Sequence, residues 1–355
     1  YPQIFVSRWR RPRIFAYAAH MYAQTPQDMT RALFEAQLVE LQRARAIRKK
    51  YHTDVVLGLT SAIRVLLIDM PSPYDKIKLL DYLHIVVEEP RFRSSHEGVK
   101  FHAYTATLPP DRTPDRTLQR DRTSRQTAAT PETPHTQTAR SHKKVTRDTT
   151  PFAAYENSKY APIFVEPHIF TVHPLLLWVQ MAAYLRLEEL VVLGDAMTRR
   201  SFYRVHVSPA NFATLLNELP TTFPHRKKCD KAVKLLAENT DSCMETRLRF
   251  RMLRAGYGPF VINYRLTLNT ADKKQAFLDI AIPNLKIAIE YSGKFHAQNW
   301  ESDEARRTAL SSAGWQILSV NAETLSNSGK FKDFLIQLSM TIARQQTILQ
   351  RNQQM

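Results

Sequence analysis

The sequence predicts a mixed α/β fold, α+β overall, with a smaller N-terminal module followed by a C-terminal domain in which strands and helices alternate. Its 355 residues exceed what one ordinary hydrophobic core serves, and 43% of them are apolar. That length indicates two or three domains of roughly 100 to 200 residues each. Residues 106–150 carry few large apolar side chains and separate two parts of the chain. After residue 241, helical and strand-like periods alternate in quick succession.

The N-terminal region, residues 1–105, contains both helical and strand-like patterns. Pro71 ends the second helical pattern, and Gly98 is a turn signal between two strand-like runs. We expect helices over residues 30–50 and 57–70 and strands over residues 82–87 and 99–104. These patterns predict a compact α+β module of ordinary domain size, a candidate for DNA binding or for sensing.

Residues 106–150 have an unusual composition. Asp-Arg-Thr occurs three times, at 111–113, 115–117 and 121–123, among Thr, Pro, Gln and Ser. Such a segment cannot bury enough apolar surface to offset its conformational entropy, so we expect a disordered, basic linker or insertion. A solvated spacer is the simpler interpretation, although its arginines could add sequence-independent contacts to phosphates.

The middle region, residues 151–240, is expected to be mostly helical. Strand-like residues occur over 162–172 before the helical pattern resumes. Its polar residues Asp195, His173 and His206 are isolated in the sequence. We therefore predict that each of them is structural rather than catalytic.

The net charge of +17 indicates a polyanionic partner, because the excess of Lys and Arg produces a long-range positive field. DNA is the first partner to consider, and RNA is an alternative that the sequence does not separate from it. We set a membrane aside because no apolar run approaches roughly 18 residues. The two cysteines, Cys229 and Cys243, provide neither a disulfide framework nor a paired CxxC zinc site, which favours a reducing, cytoplasmic location.

From residue 241 to about residue 348, the elements are expected in the order helix, strand, strand, strand, helix, strand, with a further amphipathic helix outside. Ser242 and Glu245 have the S-x-x-E spacing of a capping box, and Gly256 marks the end of that helix. The expected helices cover 242–255, 302–312 and about 330–346, and the expected strands cover 260–266, 275–282, 285–292 and 315–320.

Two acidic residues, Asp279 and Glu290, are expected on one face of this sheet. A hairpin centred on residues 283–284 would pair Asp279 with Ala288 and Glu290 with Phe277, which makes the two acids diagonal neighbours about 7 to 8 Å apart. Their face carries mostly small residues, as though another element comes close. The opposite face is expected to belong to the core and is apolar throughout: Leu278, Ile280, Ile282, Leu285, Ile287, Ile289 and Tyr291.

Two partly buried carboxylates at this spacing repel each other and raise each other's pKa. A divalent cation resolves the repulsion, and hard oxygen ligands suit Mg²⁺, for which Mn²⁺ can substitute. Such an ion activates a water and stabilises charge on a transferred phosphoryl group. The structural alternative is an ion pair, which would need Lys286, Arg247 or Arg249 as the partner. We favour the metal interpretation because Asp is depleted in strands.

The C-terminal motifs resemble those of a known nuclease family. They comprise Asp279, then ten residues, then the run Glu290-Tyr291-Ser292-Gly293-Lys294-Phe295-His296, then Asp303, Arg306, Arg307, Leu310 and Gly314-Trp315. In this order they resemble the nuclease domain related to very-short-patch repair endonucleases, within the PD-(D/E)XK superfamily. They are also similar to endonuclease-like domains of unknown function that follow a winged-helix, abortive-infection-antitoxin-type module. The resemblance covers residues 241–325.

The resemblance implies a restriction-endonuclease-like αβββαβ core and a winged-helix-type N-terminal module. It assigns the role of helix acid to Glu245, metal ligands to Asp279 and Glu290, and a main-chain carbonyl ligand to Tyr291. Glu245 also has a structural interpretation, since the N3 acid of a capping box contributes to helix stability without any catalytic role.

The sequence departs from the family pattern at Ser292, where the E-x-K lysine would fall and where these relatives usually carry Asp. Lys294 follows two residues later, and its side chain is long enough to reach a scissile phosphate. His296 is a candidate general acid or base. Arg306 and Arg307 on the following helix are expected either on a solvated face or in contact with phosphates.

The sequence therefore predicts a Mg²⁺-dependent DNA endonuclease acting in defence or repair. The alternative from another class is a non-catalytic, DNA-binding regulator of antitoxin type that retains the nuclease fold, in which Ser292 marks the loss of activity. An RNA-directed nuclease is a third interpretation.

Overall fold

The computed structural model describes residues 26–69, 79–87, 93–103, 159–199, 206–268, 275–292 and 300–354. Within these ranges the protein is mixed α/β, with ten α-helices and two mixed sheets, as the sequence predicts. The predicted linker, residues 106–150, lies outside the described residues. None of the helices in the described ranges combines the length and apolar character that a membrane crossing requires.

The first sheet has five strands and is built from two distant parts of the chain. Its strands are β1 (Val55–Leu57), β2 (Leu83–Val87), β3 (Val99–Ala103), β4 (Ile163–Glu166) and β5 (Ile169–Thr171), in the order β3-β2-β1-β5-β4. β1 pairs antiparallel with β2 and parallel with β5, and β2 pairs parallel with β3.

Helices cover both faces of this sheet. The first six helices are α1 (Pro26–Tyr51), α2 (Leu59–Val65), α3 (Pro174–Met181), α4 (Leu187–Met197), α5 (Pro209–Glu218) and α6 (Arg226–Val233). Leu41, Ala44 and Ile47 recur at helical spacing on α1 and pack against Val55 and Leu57. The remaining helices surround a second core that contains Trp178 and Phe212, both fully buried.

The two regions that the sequence analysis describes separately, residues 1–105 and 151–240, both contribute strands to this sheet. Residues 163–171 add two strands to the N-terminal sheet, so the two regions share one sheet. A five-stranded mixed sheet also differs from the small winged-helix-type module that the resemblance implies. The reason is that β1 is only three residues long, and its partner strand is supplied from more than 100 residues away, a pairing that no local pattern reveals.

The C-terminal domain has the predicted element order. Its elements are α7 (Cys243–Arg254), β6 (Val261–Thr267), β7 (Gln275–Ile282), β8 (Ile287–Ser292), α8 (Trp300–Ser312), β9 (Gln316–Asn321), α9 (Ala322–Ser326) and α10 (Ser328–Gln354). The sheet order is β6-β7-β8-β9, with the first three strands antiparallel and β9 parallel to β8.

Helices also cover both faces of the C-terminal sheet. Ile280, Ile287 and Ile289 pack in one cluster with side chains of α7 and α10. Ala281 and Ala288 pack in another cluster, with residues of α8. The small residues on the second face therefore let a helix approach closely, as their pattern indicates. Leu278 differs from the expectation, because it packs in the cluster that contains the alanines.

Two ion pairs hold α7 against α4. Arg249 donates to the fully buried Asp195 at 2.6 Å, and Thr246 donates to the same carboxylate at 2.9 Å. Arg247 donates to both oxygens of Glu189, at 2.9 and 2.8 Å. The predicted structural role of Asp195 agrees with this geometry, which joins the middle helices to the C-terminal domain through one helix.

Candidate functional site

Glu245 lies in the first turn of α7, where the local sequence fixes its position. Ser242 is the N-cap, and its hydroxyl accepts from the Glu245 amide at 3.2 Å and donates to Glu245 Oε1 at 2.8 Å. The Asp241 amide donates to Glu245 Oε2 at 2.9 Å. Ser242 therefore caps the helix, whereas the Glu245 carboxylate accepts from the Asp241 amide, one residue before the N-cap amide that a capping box would use.

Glu245 is also an unusually buried acid, with 7% of its surface exposed. Burial raises the pKa of Glu245 to about 7, and the carboxylate of Asp279 adds to the rise. A residue that served only as a surface cap would keep its carboxylate in water. Burial beside a second acid is instead typical of functional sites.

Asp279 and Glu290 are closer in register than predicted. The hairpin pairs Ile282 with Ile287 and Ile280 with Ile289, so the next residues along the two strands are Asp279 and Glu290. The diagonal arrangement is therefore wrong. Residues 283–285 form a short 3-10 turn and Lys286 adopts a left-handed conformation, which moves the centre of the hairpin by one position.

Asp279 lies one residue beyond Ile280, whose pair with Ile289 is the last between β7 and β8. Its carboxylate oxygen accepts from the Tyr291 amide at 2.9 Å. Burial raises the pKa of Asp279 to about 6, the Tyr291 amide opposes the rise, and the charge of Glu290 adds to it. Asp279 therefore has a carboxylate neighbour on each side, Glu245 from α7 and Glu290 from β8.

Glu290 is paired with an arginine that the sequence did not single out as its partner. Arg306 of α8 donates to the two oxygens of Glu290, at 2.5 and 3.2 Å, and to the carbonyl of Phe277 at 2.8 Å. Arg306 lies 16 residues after Glu290 in the chain, and the return of α8 over the sheet brings the two charges together.

Lys286, Arg247 and Arg249, which the sequence analysis names as candidate ion-pair partners, interact with other groups. Lys286 donates to the Ala313 carbonyl at 3.0 Å. Arg247 and Arg249 pair with acids of α4. The structural alternative for Glu290 is thus an ion pair with Arg306, and the predicted partners are wrong.

The remaining predicted residues divide between described and undescribed parts of the chain. Lys294 and His296 lie outside the described residues. Tyr291 and Ser292 form the end of β8, where they pair with Val320 and Asn321 of β9.

Arg307 has an exposed side chain, and its guanidinium lies 3.5 Å from the Ser319 hydroxyl, the limit of a hydrogen bond. Arg307 is therefore the arginine of α8 that lies on a solvated face, whereas Arg306 is turned towards Glu290.

The oxygen donors around Asp279 fit a hard divalent cation that keeps several waters. They are the carboxylates of Asp279 and Glu290 on neighbouring strands, and Mg²⁺ is commonly held by one or two carboxylates together with water. Within the described ranges, no group of three or more His, Cys, Asp or Glu residues is placed to hold a metal ion. Glu245 therefore does not complete a three-residue metal site in this geometry.

The N-terminal sheet contains a second polar cluster that sequence reasoning missed. Glu40 is buried and accepts hydrogen bonds from Ser61 and Arg64. His84 and His102 form a hydrogen bond of 2.8 Å between ring nitrogens, and burial lowers their pKa values to about 3 and about 4. The two imidazoles are neutral at physiological pH, and the cluster joins α1, α2, β2 and β3.

Comparison with known proteins adds no relative. No protein-family model, no curated protein and no solved structure matches the chain.

Proposed function

We propose that this protein is a metal-dependent DNA endonuclease of the PD-(D/E)XK superfamily, in which residues 241–348 form a restriction-endonuclease-like αβββαβ core. The observation that carries the proposal is the meeting of Glu245, Asp279 and Glu290 from three elements, with pKa values of about 7 and about 6 for the first two acids. Adjacent buried carboxylates repel each other when both are ionised, and a divalent cation would offset that repulsion.

The sheet supports the same assignment. Three antiparallel strands followed by a helix and a fourth, parallel strand place Asp279 and Glu290 at the end of the β7–β8 ladder. Here Glu245 reaches the pair from the first turn of α7. The proximity of these acids supports the proposal.

In the proposed reaction the protein positions a divalent cation, a water and a phosphodiester. Asp279 and Glu290 would hold the cation, and the resemblance implies the main-chain carbonyl of Tyr291 as a further ligand. When bound, Mg²⁺ supplies a more acidic water and stabilises charge on the phosphoryl group. Glu245, with its pKa of about 7, can accept or return a proton close to neutral pH. Lys294 and His296 remain candidates for contact with the phosphate and for general acid or base chemistry.

The positive charge supports a nucleic acid substrate. The chain carries 50 Lys and Arg against 33 Asp and Glu, and such an excess attracts the phosphate backbone irrespective of sequence. We propose duplex DNA as the substrate and a cytoplasmic location. An RNA substrate is tested in the same assay.

Nicking of supercoiled plasmid by the full chain in Mg²⁺ or Mn²⁺ tests the proposal. We expect nicked product that EDTA abolishes, and a loss of two or more orders of magnitude in Asp279→Asn, about 3 kcal/mol of transition-state stabilisation. Asp333→Asn is the matched control, because Asp333 lies on the exposed face of α10. A labelled RNA duplex assayed in parallel distinguishes the two nucleic acids. Wild-type protein without activity under any divalent ion would contradict the proposal.

A non-catalytic DNA-binding regulator is the second candidate, and a specific observation favours it. Glu290 is already neutralised by Arg306, and Ser292 replaces the lysine or acid of the family motif. In a protein that no longer binds metal, the guanidinium of Arg306 would neutralise Glu290 in place of the metal ion. DNA binding without nicking, and without an effect of Mg²⁺ on thermal stability, would support this candidate.

A further inference from the structure

Arg306 occupies the carboxylate that a cation would need. Its Nη2 lies 2.5 Å from Glu290 Oε1 and its Nη1 lies 3.2 Å from Oε2, so both oxygens of the acid accept from one guanidinium. The Glu290 side chain is 12% exposed and that of Arg306 is 29% exposed. The pair is thus largely shielded from water, where such a fork is stronger than at an open surface.

The guanidinium pairs with one acid of the site, Glu290, and its charge also acts on Asp279. Asp279 accepts a backbone amide and Glu245 accepts from Ser242 and Asp241. A divalent cation placed between Asp279 and Glu290 would use the same oxygens of Glu290 that Arg306 now uses. Two cations cannot share those oxygens at ordinary ligand distances without repelling each other.

We infer that Arg306 and a divalent cation compete for the Glu290 carboxylate. When the divalent cation binds, the guanidinium of Arg306 leaves Glu290 and binds a nucleic acid phosphate instead. The inference rests on the proposed function. The planar fork that fits a carboxylate also fits a phosphate oxygen pair. Arg307, exposed on the next position of α8, adds positive charge at the same helix.

The competition has a thermodynamic consequence that a purely structural arginine lacks. Because Arg306 must leave Glu290 when the cation binds, removing its charge should strengthen cation binding. Because the released guanidinium contacts phosphate, the cation should also strengthen DNA binding, and by reciprocity DNA should strengthen cation binding. A structural arginine that only joins α8 to the Phe277 carbonyl would affect folding and leave both affinities unchanged.

Calorimetric titration of the full chain with Mn²⁺ tests the inference. Arg306→Gln should bind Mn²⁺ roughly tenfold more tightly than wild type, which corresponds to about 1.4 kcal/mol. Arg344→Gln, at an exposed position of α10, should bind Mn²⁺ as wild type does. Arg306→Lys keeps the charge but loses the fork, so it should bind Mn²⁺ several-fold more tightly, and it serves if the glutamine variant does not fold.

A second measurement compares the affinity for DNA with and without a divalent cation. Ca²⁺, which occupies oxygen sites, should increase the affinity of wild type for a short duplex, and the increase should be largely lost in Arg306→Gln.

The outcomes separate this inference from the proposed function. Unchanged or weaker Mn²⁺ binding in folded Arg306→Gln, with binding abolished in Asp279→Asn, overturns the competition and leaves the metal site intact. Absence of Mn²⁺ binding in both wild type and Arg306→Gln overturns the competition and the metal-dependent function together.

Discussion

At the residue scale, the site contains two acids, Glu245 and Asp279, whose charged forms are disfavoured in the folded protein. The pKa of Glu245 is raised from 4.5 to about 7, mainly by burial. The folded state therefore binds this proton more tightly than the unfolded chain does. Stability from this group is fully present below about pH 4.5 and is lost as the pH rises to about 7.

This linkage predicts the behaviour of Glu245→Gln. The variant cannot ionise, so the fall in its free energy of unfolding between pH 5 and pH 7 should be smaller than that of wild type by about 1 to 3 kcal/mol. Denaturant melts at a series of pH values measure the difference. Glu304→Gln, at an exposed position of α8, is the control and should follow wild type. Parallel pH profiles for all three proteins would show that Glu245 ionises as a surface acid does.

Asp279→Asn should not lower the stability of the protein in the absence of metal, whereas loss of an ion-pair residue would. The amide oxygen of Asn can still accept from the Tyr291 amide, while the repulsion from Glu290 that raises the pKa of Asp279 is removed. Above pH 7 without metal, the variant should be as stable as wild type or more stable by about 1 kcal/mol. Wild type should melt higher with Mg²⁺, and the variant should not.

Thermal melts with Mg²⁺ and with EDTA measure both effects. A large fall in the melting temperature of Asp279→Asn in EDTA would mean that Asp279 stabilises the fold through an ion pair, contrary to this prediction.

At the scale of elements, α7 is the helix on which the site depends. Its first turn carries Glu245, and its central turns are held to α4 by the buried pair of Arg249 with Asp195. Burial raises the pKa of Asp195 and Arg249 opposes the rise. Loss of either partner leaves the other as an uncompensated charge in the core.

Arg249→Met should therefore lower the free energy of unfolding by about 3 to 5 kcal/mol. The exposed pair of Arg31 with Glu35 on α1 provides the matched control, and Arg31→Met should cost at most about 0.5 kcal/mol. A double variant with Leu at position 195 should recover part of the loss, because two apolar side chains can replace a buried pair. Urea melts of wild type, the two single variants and the double variant measure the free energies of unfolding. Equal losses for Arg249→Met and Arg31→Met would contradict a stabilising role for the buried pair.

The C-terminal elements could be predicted because their patterns are local. Alternating apolar residues located β7 to the residue, and the S-x-x-E spacing located the start of α7. The register of the hairpin could not be predicted, because the 3-10 turn at 283–285 and the left-handed Lys286 shift its centre. The two acids still lie on the same face of the sheet. Moving the centre of the hairpin by one position changes the paired residue by two, and side chains two residues apart on a strand point to the same face.

Long-range contacts explain the remaining differences. The partner of Glu290 is Arg306, which only the crossing of α8 over the sheet brings near. The short strand β5 pairs with β1 across more than 100 residues. In both cases the deciding interaction joins elements that are distant in sequence, whereas helical and strand periods report only on neighbours.

At the scale of the whole molecule, the two sheets are connected through packed helices. Residues of α4 belong to the core beside the first sheet, and α4 contacts α7 of the second. A nucleic acid that contacts both sheets would therefore meet surfaces joined by buried ion pairs. The net charge of +17 belongs to the whole chain, including the residues outside the described ranges.

This charge predicts a steep dependence of DNA binding on salt. Each phosphate contact by Lys or Arg releases condensed counterions, so the logarithm of the affinity for duplex DNA should fall with the logarithm of the salt concentration by about 0.9 per contact. With about six to ten contacts, affinity drops by roughly 10³ to 10⁵ between 50 and 200 mM salt. Fluorescence anisotropy in EDTA measures this slope without cleavage. A single strand should give about 0.7 per phosphate, and Arg307→Gln should lower the duplex slope by about one contact if α8 faces the DNA. An affinity that does not change with salt, or no binding at 50 mM, would argue against a nucleic acid partner.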